Sequence, residues 1–325
     1  MQTLSQFQDL FQSYHAAHPF QYEPTQLYEP VDYVLGMGGK RIRPNLLLMG
    51  YYLFDNELTK VLPAAYAIEI FHNFTLLHDD IMDEAPLRRG QPTVHHKYDV
   101  NTGILSGDVM LIYAYEYLLQ LDADLQPLRL LQIFNTVARE VCEGQQMDMN
   151  FETQTDVSIA EYLRMIELKT AVLLGAAMEM GAVAAGASDV DARHAAEFGR
   201  TVGIAFQLQD DILDTFGDPE KFGKKVGGDI AQNKKTYLYL RALEVATPDT
   251  RDALVQLYNS DNIAEAEKIA RVTALFEQLN IKQLATALMQ QYQEKAFAHL
   301  SAIRVPQERK QVLVDTAEML LGREH

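Results

Sequence analysis

Two six-residue stretches hold the side chains whose types and spacing best suit chemistry. His78-Asp79-Asp80-Ile81-Met82-Asp83 ends a long apolar run that begins near Pro63, and Gln209-Asp210-Asp211-Ile212-Leu213-Asp214 repeats the pattern about 130 residues later. Each is an Asp-Asp-x-x-Asp on a segment patterned as helix. Positions i and i+4 of a helix lie about 40° apart around its axis, so Asp79 and Asp83 share one face, as do Asp210 and Asp214. Like charges stacked one turn apart destabilise a helix by about 0.2–0.5 kcal/mol. Taken alone, either stretch reads equally well as a solvated acidic helix end. Two of them, with the same spacing and the same apolar lead-in, call for a compensating cation. Hard divalent ions take carboxylate oxygens, and Mg²⁺ commonly shares them with substrate phosphates.

Cationic residues recur around these stretches. Gly36-Met37-Gly38-Gly39-Lys40-Arg41-Ile42-Arg43-Pro44 is a turn loaded with positive charge, and Pro86-Leu87-Arg88-Arg89-Gly90-Gln91-Pro92-Thr93 is a loop with two adjacent arginines. Lys169-Thr170 interrupts an apolar segment, where an unpaired lysine is costly to bury unless it snorkels to the surface. Phe222-Gly223-Lys224-Lys225-Val226-Gly227-Gly228-Asp229 is a Gly/Lys loop, followed by Asn233-Lys234-Lys235-Thr236. His72, seven residues before Asp79, lies on nearly the same helix face two turns earlier, where a structural role is the simpler reading. Singly, each feature is a solvated loop or a local charge balance. Together, six aspartates and Lys40, Arg43, Arg88, Arg89, Lys169, Lys224 and Lys234 around a potential cleft suit polyanions, most simply diphosphates. The intervening walls are Leu, Ile, Phe and Met, which suit hydrocarbon. Diphosphate at one end and hydrocarbon at the other describes a prenyl diphosphate.

The elements that position these residues read as helices throughout. Leu4, Phe7, Leu10, Phe11 and Tyr14 form a helical stripe over 3–17. Further helices are expected at 25–36, from Pro44 to about Phe54, and over 63–84, 103–120, 126–151, 158–186 and 188–216, with alternating amphipathic helix and short turn over 250–322. Period-two strand patterning is not apparent and there is no linker. The expectation is an all-α fold, a single-domain helical bundle around a central cleft spanning 1–325. The chain is 48% hydrophobic with a formal net charge of −17, which argues against nucleic acid and against a polybasic membrane anchor. The apolar segment Ala171–Ala187 carries Glu179 and reads as a buried helix rather than a membrane span. Cys142 is the one cysteine, a usage that fits a reducing compartment. The N-terminus has no basic-then-apolar signal pattern, so the expected location is cytoplasmic.

From Gly36 to Tyr239 the chain resembles the trans-isoprenyl diphosphate synthases of the polyprenyl synthetase family. The resemblance rests on the order and spacing of Gly39-Lys40-Arg41-Ile42-Arg43-Pro44, Leu77-His78-Asp79-Asp80-Ile81-Met82-Asp83, Leu87-Arg88-Arg89-Gly90, Gly144-Gln145-Gln146-Met147-Asp148, Lys169-Thr170, Phe206-Gln207-Leu208-Gln209-Asp210-Asp211-Ile212-Leu213-Asp214 and Gly223-Lys224. It implies an enzyme with three Mg²⁺ ions per active site. Asp79 and Asp83, with Asp148 as a helper, would bind two ions on an allylic diphosphate, and Asp210 the third. Asp80, Asp211 and Asp214 would act behind these ligands or through water. Arg88, Lys169 and Lys224 would grip the allylic diphosphate, with Lys234, Gln207 and Gln145 nearby. Lys40, Arg43, His72 and Arg89 would hold isopentenyl diphosphate without metal, which turns His72 toward function.

The implied reaction is head-to-tail condensation of isopentenyl diphosphate with a dimethylallyl, geranyl or farnesyl diphosphate. Diphosphate leaves, stabilised electrostatically, and the allylic cation faces the Lys169 carbonyl, Thr170 and Gln207. The double bond of isopentenyl diphosphate attacks, and a proton is lost to the departing diphosphate. A class I terpene cyclase shares the acidic helix but has no use for the Gly-Lys-Arg turn. A non-catalytic subunit of a heteromeric synthase would be expected to have lost aspartates that are all present here. Phe74, five residues and about 7.5 Å before Asp79, is expected to floor the chain-binding space. Set beside the small Thr75 and the short acidic motif, it resembles the pattern of geranylgeranyl synthases, so a C20 product is favoured over C15; Tyr113 is the alternative floor. Apolar residues such as Val109, Leu111, Ile112, Tyr113 and Tyr115 spread over more than one helix face, which with the resemblance implies a homodimer.

Overall fold

In the computed structural model, residues 2–218, 226–260 and 263–322 are described. The described chain is helical except for one two-stranded ribbon, so the all-α expectation holds. It divides into two compact units, one of Met1–Asn135, Ala176–Ala196 and Ile303–Leu313, the other of Thr136–Gly175, Glu197–Ala302 and Val314–His325. No helix of the described residues is long and apolar enough to cross a membrane.

The first unit is organised by helix α4 (Leu62–Met82), whose first half is buried on nearly every side. It packs chiefly on α6 (Val100–Leu119) and also on α1 (Leu4–Ala16), α2 (Thr25–Gly36) and α3 (Ile42–Tyr52). Phe7, Phe11, Leu46, Leu47, Tyr66, Phe71 and Phe134 form the centre of this core, each at most 1% exposed. Helix α6 begins three residues before the expected start because the Asp99 carboxylate accepts from the Thr102 N–H, capping the first turn. Among the described residues, nothing covers one apolar stripe of α6: Ile104 is 41%, Leu105 59%, Ile112 56% and Leu119 67% exposed.

Leu87–Arg88 (β1) pairs with Gln91–Pro92 (β2) as a minimal antiparallel hairpin where the sequence suggested a plain loop. Its two central residues, Arg89 at φ 53 and Gly90 at φ 76, have the left-handed backbone of a type I′ turn. A two-residue strand is too short to leave an alternating pattern, which is why periodicity missed it.

The second unit gathers Tyr162, Ile166, Leu208, Ile212, Leu238, Leu254, Val272, Phe276 and Ile281 into one core. It contains the C-terminal turns of α7 (Pro127–Thr153), α8 (Ile159–Ile166) and most of α10 (Asp189–Phe216). The single helix expected over 158–186 is broken. Glu167–Ala171 forms one π-type turn before α9 (Val172–Ala184), a widening typical of functional positions. A Cβ on Gly144 of α7 would stand 2.3 Å from the Lys169 nitrogen, so only glycine lets this turn press against α7. Beyond α10 come the short helix Gly228–Ala231 and then Tyr237–Val245, Pro248–Tyr258, Glu265–Gln278 and Ile281–Ala302.

Candidate active site

In the first unit, α4 and the arginine hairpin assemble one cluster. Asp79 and Asp80 lie in the last turn of α4, and Asp83 caps it, its N–H donating to the Asp79 carbonyl at 2.9 Å. Asp80 does not face open space. It is 3% exposed, and Arg88 holds it with Nε 2.9 and 2.8 Å from its two oxygens and a terminal nitrogen at 2.7 Å. Burial raises the Asp80 pKa, with the Arg88 bonds opposing. On Arg88, burial favours the neutral form but the bonds to Asp80 outweigh it, and its pKa rises. Arg88 also reaches Asp79 Oδ2 at 3.7 Å. Arg88 thus balances the acidic helix end while standing beside the carboxylate expected to bind metal.

Four of the expected acceptor-site residues belong to this unit. Lys40 is exposed in the turn between α2 and α3. Arg43 NH1 lies 3.0 Å from His72 Nε2. The Arg89 guanidinium donates to the Gly38 carbonyl and covers Gly39, where a Cβ would stand 2.6 Å from its central carbon. Burial pushes the Arg43 pKa down to about 10 and lowers that of Arg89. Arg43 Nε is buried with no hydrogen-bond partner among the described residues. A buried donor in that condition, beside other arginines, suits an anion. Burial, followed by the charges of Arg43, Arg89, Arg88 and Arg41, holds His72 well below the usual histidine range, so the ring is neutral near pH 7.

The second unit brings together several of the other expected residues. Lys169, on the π-type turn, pairs its Nζ with Asp148 Oδ2 of α7 at 2.6 Å; it is neither buried unpaired nor simply snorkelled. Gln145 lies half-buried on the same helix. Thr170 Oγ1 donates to Gln207 Oε1 and Gln207 Nε2 to Asp211 Oδ1, both at 3.4 Å. Asp211 is 3% exposed, another of the six aspartates that turns inward, and it accepts from the buried Tyr162 hydroxyl. Burial, and then Asp229, raise its pKa well above the carboxylate range. Asp214 accepts from the Asp229 N–H at 3.0 Å and so caps the helix Gly228–Ala231. Lys234 Nζ lies 3.9 Å from Asp229 Oδ1. Lys224 lies outside the described residues.

Three participants were not singled out from the sequence. Glu69, 2% exposed, pairs with Arg41; its signal was a lone carboxylate in the apolar run Ala64–Phe71. Asp229 closes the Gly/Lys loop and meets Asp214 and Lys234, a pairing across sequence that no local pattern marks. Tyr162 gave no signal at all.

The donor set fits Mg²⁺. Among the described residues no three His, Cys, Asp or Glu side chains converge as a closed metal cage; α4 instead carries Asp79 and Asp83 one turn apart, and α10 carries Asp210. Mg²⁺ is usually held by one or two carboxylates, with water and substrate phosphates completing its octahedron.

The chain is similar to known proteins over most of its length. The family model described as Polyprenyl synthetase matches residues 24–276. A geranylgeranyl diphosphate synthase of Methanosarcina mazei is 37% identical over 93% of this chain and 91% of its own length. A geranylfarnesyl diphosphate synthase of Natronomonas pharaonis is 36% identical over 93% and 92%. A crystal structure of a geranylgeranyl pyrophosphate synthase superposes with TM-score 0.95 at 45% identity, covering 100% of both chains. One of a Caulobacter crescentus polyprenyl synthase, complexed with calcium and isoprenyl diphosphate, gives 0.87 at 27% identity over 99% and 98%. The chain belongs to the polyprenyl synthetase family and is a prenyltransferase of the short-chain trans type.

The neutral His72 has a consequence for stability. Its folded pKa lies below the unfolded value of about 6.5, so its contribution is fully present above that pH and is lost as pH falls toward the folded value. The variant His72→Asn should lose less melting temperature than the parent between about pH 6.5 and 5, measured by scanning calorimetry. Equal losses in both proteins would contradict the buried neutral ring.

Proposed function

We propose that the whole chain, 1–325, acts as one Mg²⁺-dependent catalytic domain that condenses isopentenyl diphosphate with an allylic diphosphate and releases diphosphate. The observation that carries this reading is the pairing of two Asp-Asp-x-x-Asp helices with two cation sets of different make-up. The first set is Lys40, Arg43, His72 and Arg89, in which burial keeps the histidine neutral and Arg43 presents an unpartnered buried Nε. We assign it to isopentenyl diphosphate. Asp79, Asp83, Asp210 and, as a helper, Asp148 would hold three Mg²⁺ ions, which when bound neutralise the diphosphate that leaves. Asp80, Asp211 and Asp214 act behind these ligands. Arg88, Lys169, Lys224 and Lys234 orient the allylic diphosphate, with Gln145 nearby.

The Lys169–Asp148 pair gives this assignment a charge logic. The Lys169 ammonium is matched to Asp148 at 2.6 Å and would turn to a phosphate oxygen if Asp148 served a metal ion instead. Thr170 and Gln207, linked by a hydrogen bond, present oxygen dipoles to the developing allylic cation. The proton lost after condensation goes to the departing diphosphate, so no side-chain nucleophile is needed. The variants Asp79→Ala and Asp210→Ala should each reduce turnover at saturating Mg²⁺ by at least about 100-fold while keeping the parent's circular dichroism. Near-parental turnover in either would remove the metal mechanism.

We assign the product as C20, with C15 next. Phe74 is half-buried, its ring 5.7 Å from Phe71 and 4.8 Å from His78. That row continues to Phe134 of α7, 5.1 Å from Phe71, so the aromatic wall is shared by α4 and α7. Tyr113, the other candidate, packs instead on Phe20, Tyr22 and Tyr28. Chromatography of products from Phe74→Ala should show a longer distribution with condensation retained, and an unchanged profile from an active variant moves the floor elsewhere.

The enzyme is proposed to be a cytoplasmic homodimer joined through α6 and α7. Support comes from the exposed Ile104, Leu105, Ile112 and Leu119 on α6 and Leu128 on α7, 71% exposed; such a patch marks an interaction surface. Sedimentation at micromolar concentration should give a dimer for the parent and a shift toward monomer for Ile112→Lys. A monomeric parent rejects this part of the reading.

A further inference from the structure

The Lys40–Arg43 turn is joined to α4 by two rungs. The outer rung is Arg43 to His72, at 3.0 Å. The inner rung is Arg41 to Glu69, with side chains only 8% and 3% exposed. Arg41 is the residue just before α3 and sits in the left-handed region at φ 49, where a side chain is strained unless its surroundings hold it. Here they do. One guanidinium nitrogen meets Glu69 and the other donates to the Leu35 carbonyl at the end of α2. The Arg41 carbonyl accepts from the Asn45 side chain at 2.8 Å. Asn73 donates to Glu69 Oε1 and to the Glu69 carbonyl, both at 2.8 Å. Asn45 and Asn73 are at most 1% exposed.

A buried ion pair seldom stabilises more than packed apolar residues would, and its best-attested use is to fix one geometry among several. The geometry fixed here is that of the turn bearing Lys40 and Arg43 against the helix bearing His72, with Arg89 lying across Gly39. We propose that Glu69 and Arg41 are positioning residues for the isopentenyl diphosphate site, acting on substrate through Lys40, Arg43 and His72 without touching it. The inference rests on the acceptor-site assignment made above.

The sign of the effect separates positioning from bare charge. Glu69 is an anion beneath an anion site, so if only its charge mattered, Glu69→Gln would tighten isopentenyl diphosphate binding. If it positions the turn, the same variant leaves Arg41 buried without its counter-charge beside Arg43 and Arg89. The turn then moves and binding weakens.

The test is steady-state kinetics on the full-length protein with Glu69→Gln, Arg41→Lys and, as a control, Arg43→Ala. Glu69→Gln should raise KM for isopentenyl diphosphate about tenfold and leave that for the allylic diphosphate within about twofold, as expected when a charge-assisted contact is misplaced. Arg41→Lys keeps the charge next to Glu69 but loses the second arm to Leu35, so its effect should fall between parent and Glu69→Gln, with the same substrate bias. An unchanged or lowered isopentenyl diphosphate KM in Glu69→Gln overturns the proposal, as does an equal rise for both substrates. Should Glu69→Gln not fold, Arg41→Lys decides by the same criterion, and failure of both to fold makes the pair a fold determinant and overturns the proposal. If Arg43→Ala itself leaves the isopentenyl diphosphate KM unchanged, the acceptor-site assignment fails first and takes the proposal with it.

Discussion

Carboxylates stacked one turn apart must be balanced, and much of this structure follows from how that is done. On α4, Asp80 turns into Arg88 and is dry. On α10, Asp211 turns into Tyr162 and Gln207, and Asp214 caps the neighbouring short helix. Arg88 also reaches Asp79, at 3.7 Å. Asp79, Asp83 and Asp210 remain the positions assigned to metal. Asp80 and Asp211 are each buried and bonded on both oxygens, which suits them to the supporting role proposed for them, since such a carboxylate is poorly placed to serve an ion.

Most of the fold could be read from periodicity because most of it is long amphipathic or buried helix. The apolar run before Asp79 and the stripe of Phe7 and Phe11 stand where expected. What escaped was short or non-local. The π-type turn at Glu167–Ala171 depends on Gly144 of another helix allowing the backbone to approach, and the Arg89-Gly90 turn makes a ribbon too short for alternation to register. The Asp99 cap sets the start of α6 at Val100, ahead of the helix expected from 103.

The candidate site divides the same way. Residue types and spacing marked Asp79, Asp83, Asp210, Lys40, Arg43 and Arg89 as chemistry, and His72 was assigned through the family likeness. The structure adds that Arg43 and His72 meet and that Lys169 finds Asp148. The supports Glu69, Tyr162 and Asp229 were not legible, because burial and partners decide their roles and neither is local in sequence. Around both cation sets the protein keeps dry groups bonded to other site residues. The diphosphate departure proposed above would draw on such preorganisation.

The central claim is that this single chain joins two diphosphate substrates by metal-assisted departure of one diphosphate. The most direct measurement supplies the purified protein with isopentenyl diphosphate and each allylic primer in turn, following released diphosphate and separating the products. The account predicts one diphosphate released per bond formed, a linear all-trans prenyl diphosphate as product, and loss of both on chelating divalent ions. Release of diphosphate without uptake of isopentenyl diphosphate, activity that survives chelation, or activity that appears only when a second kind of chain is added would contradict it.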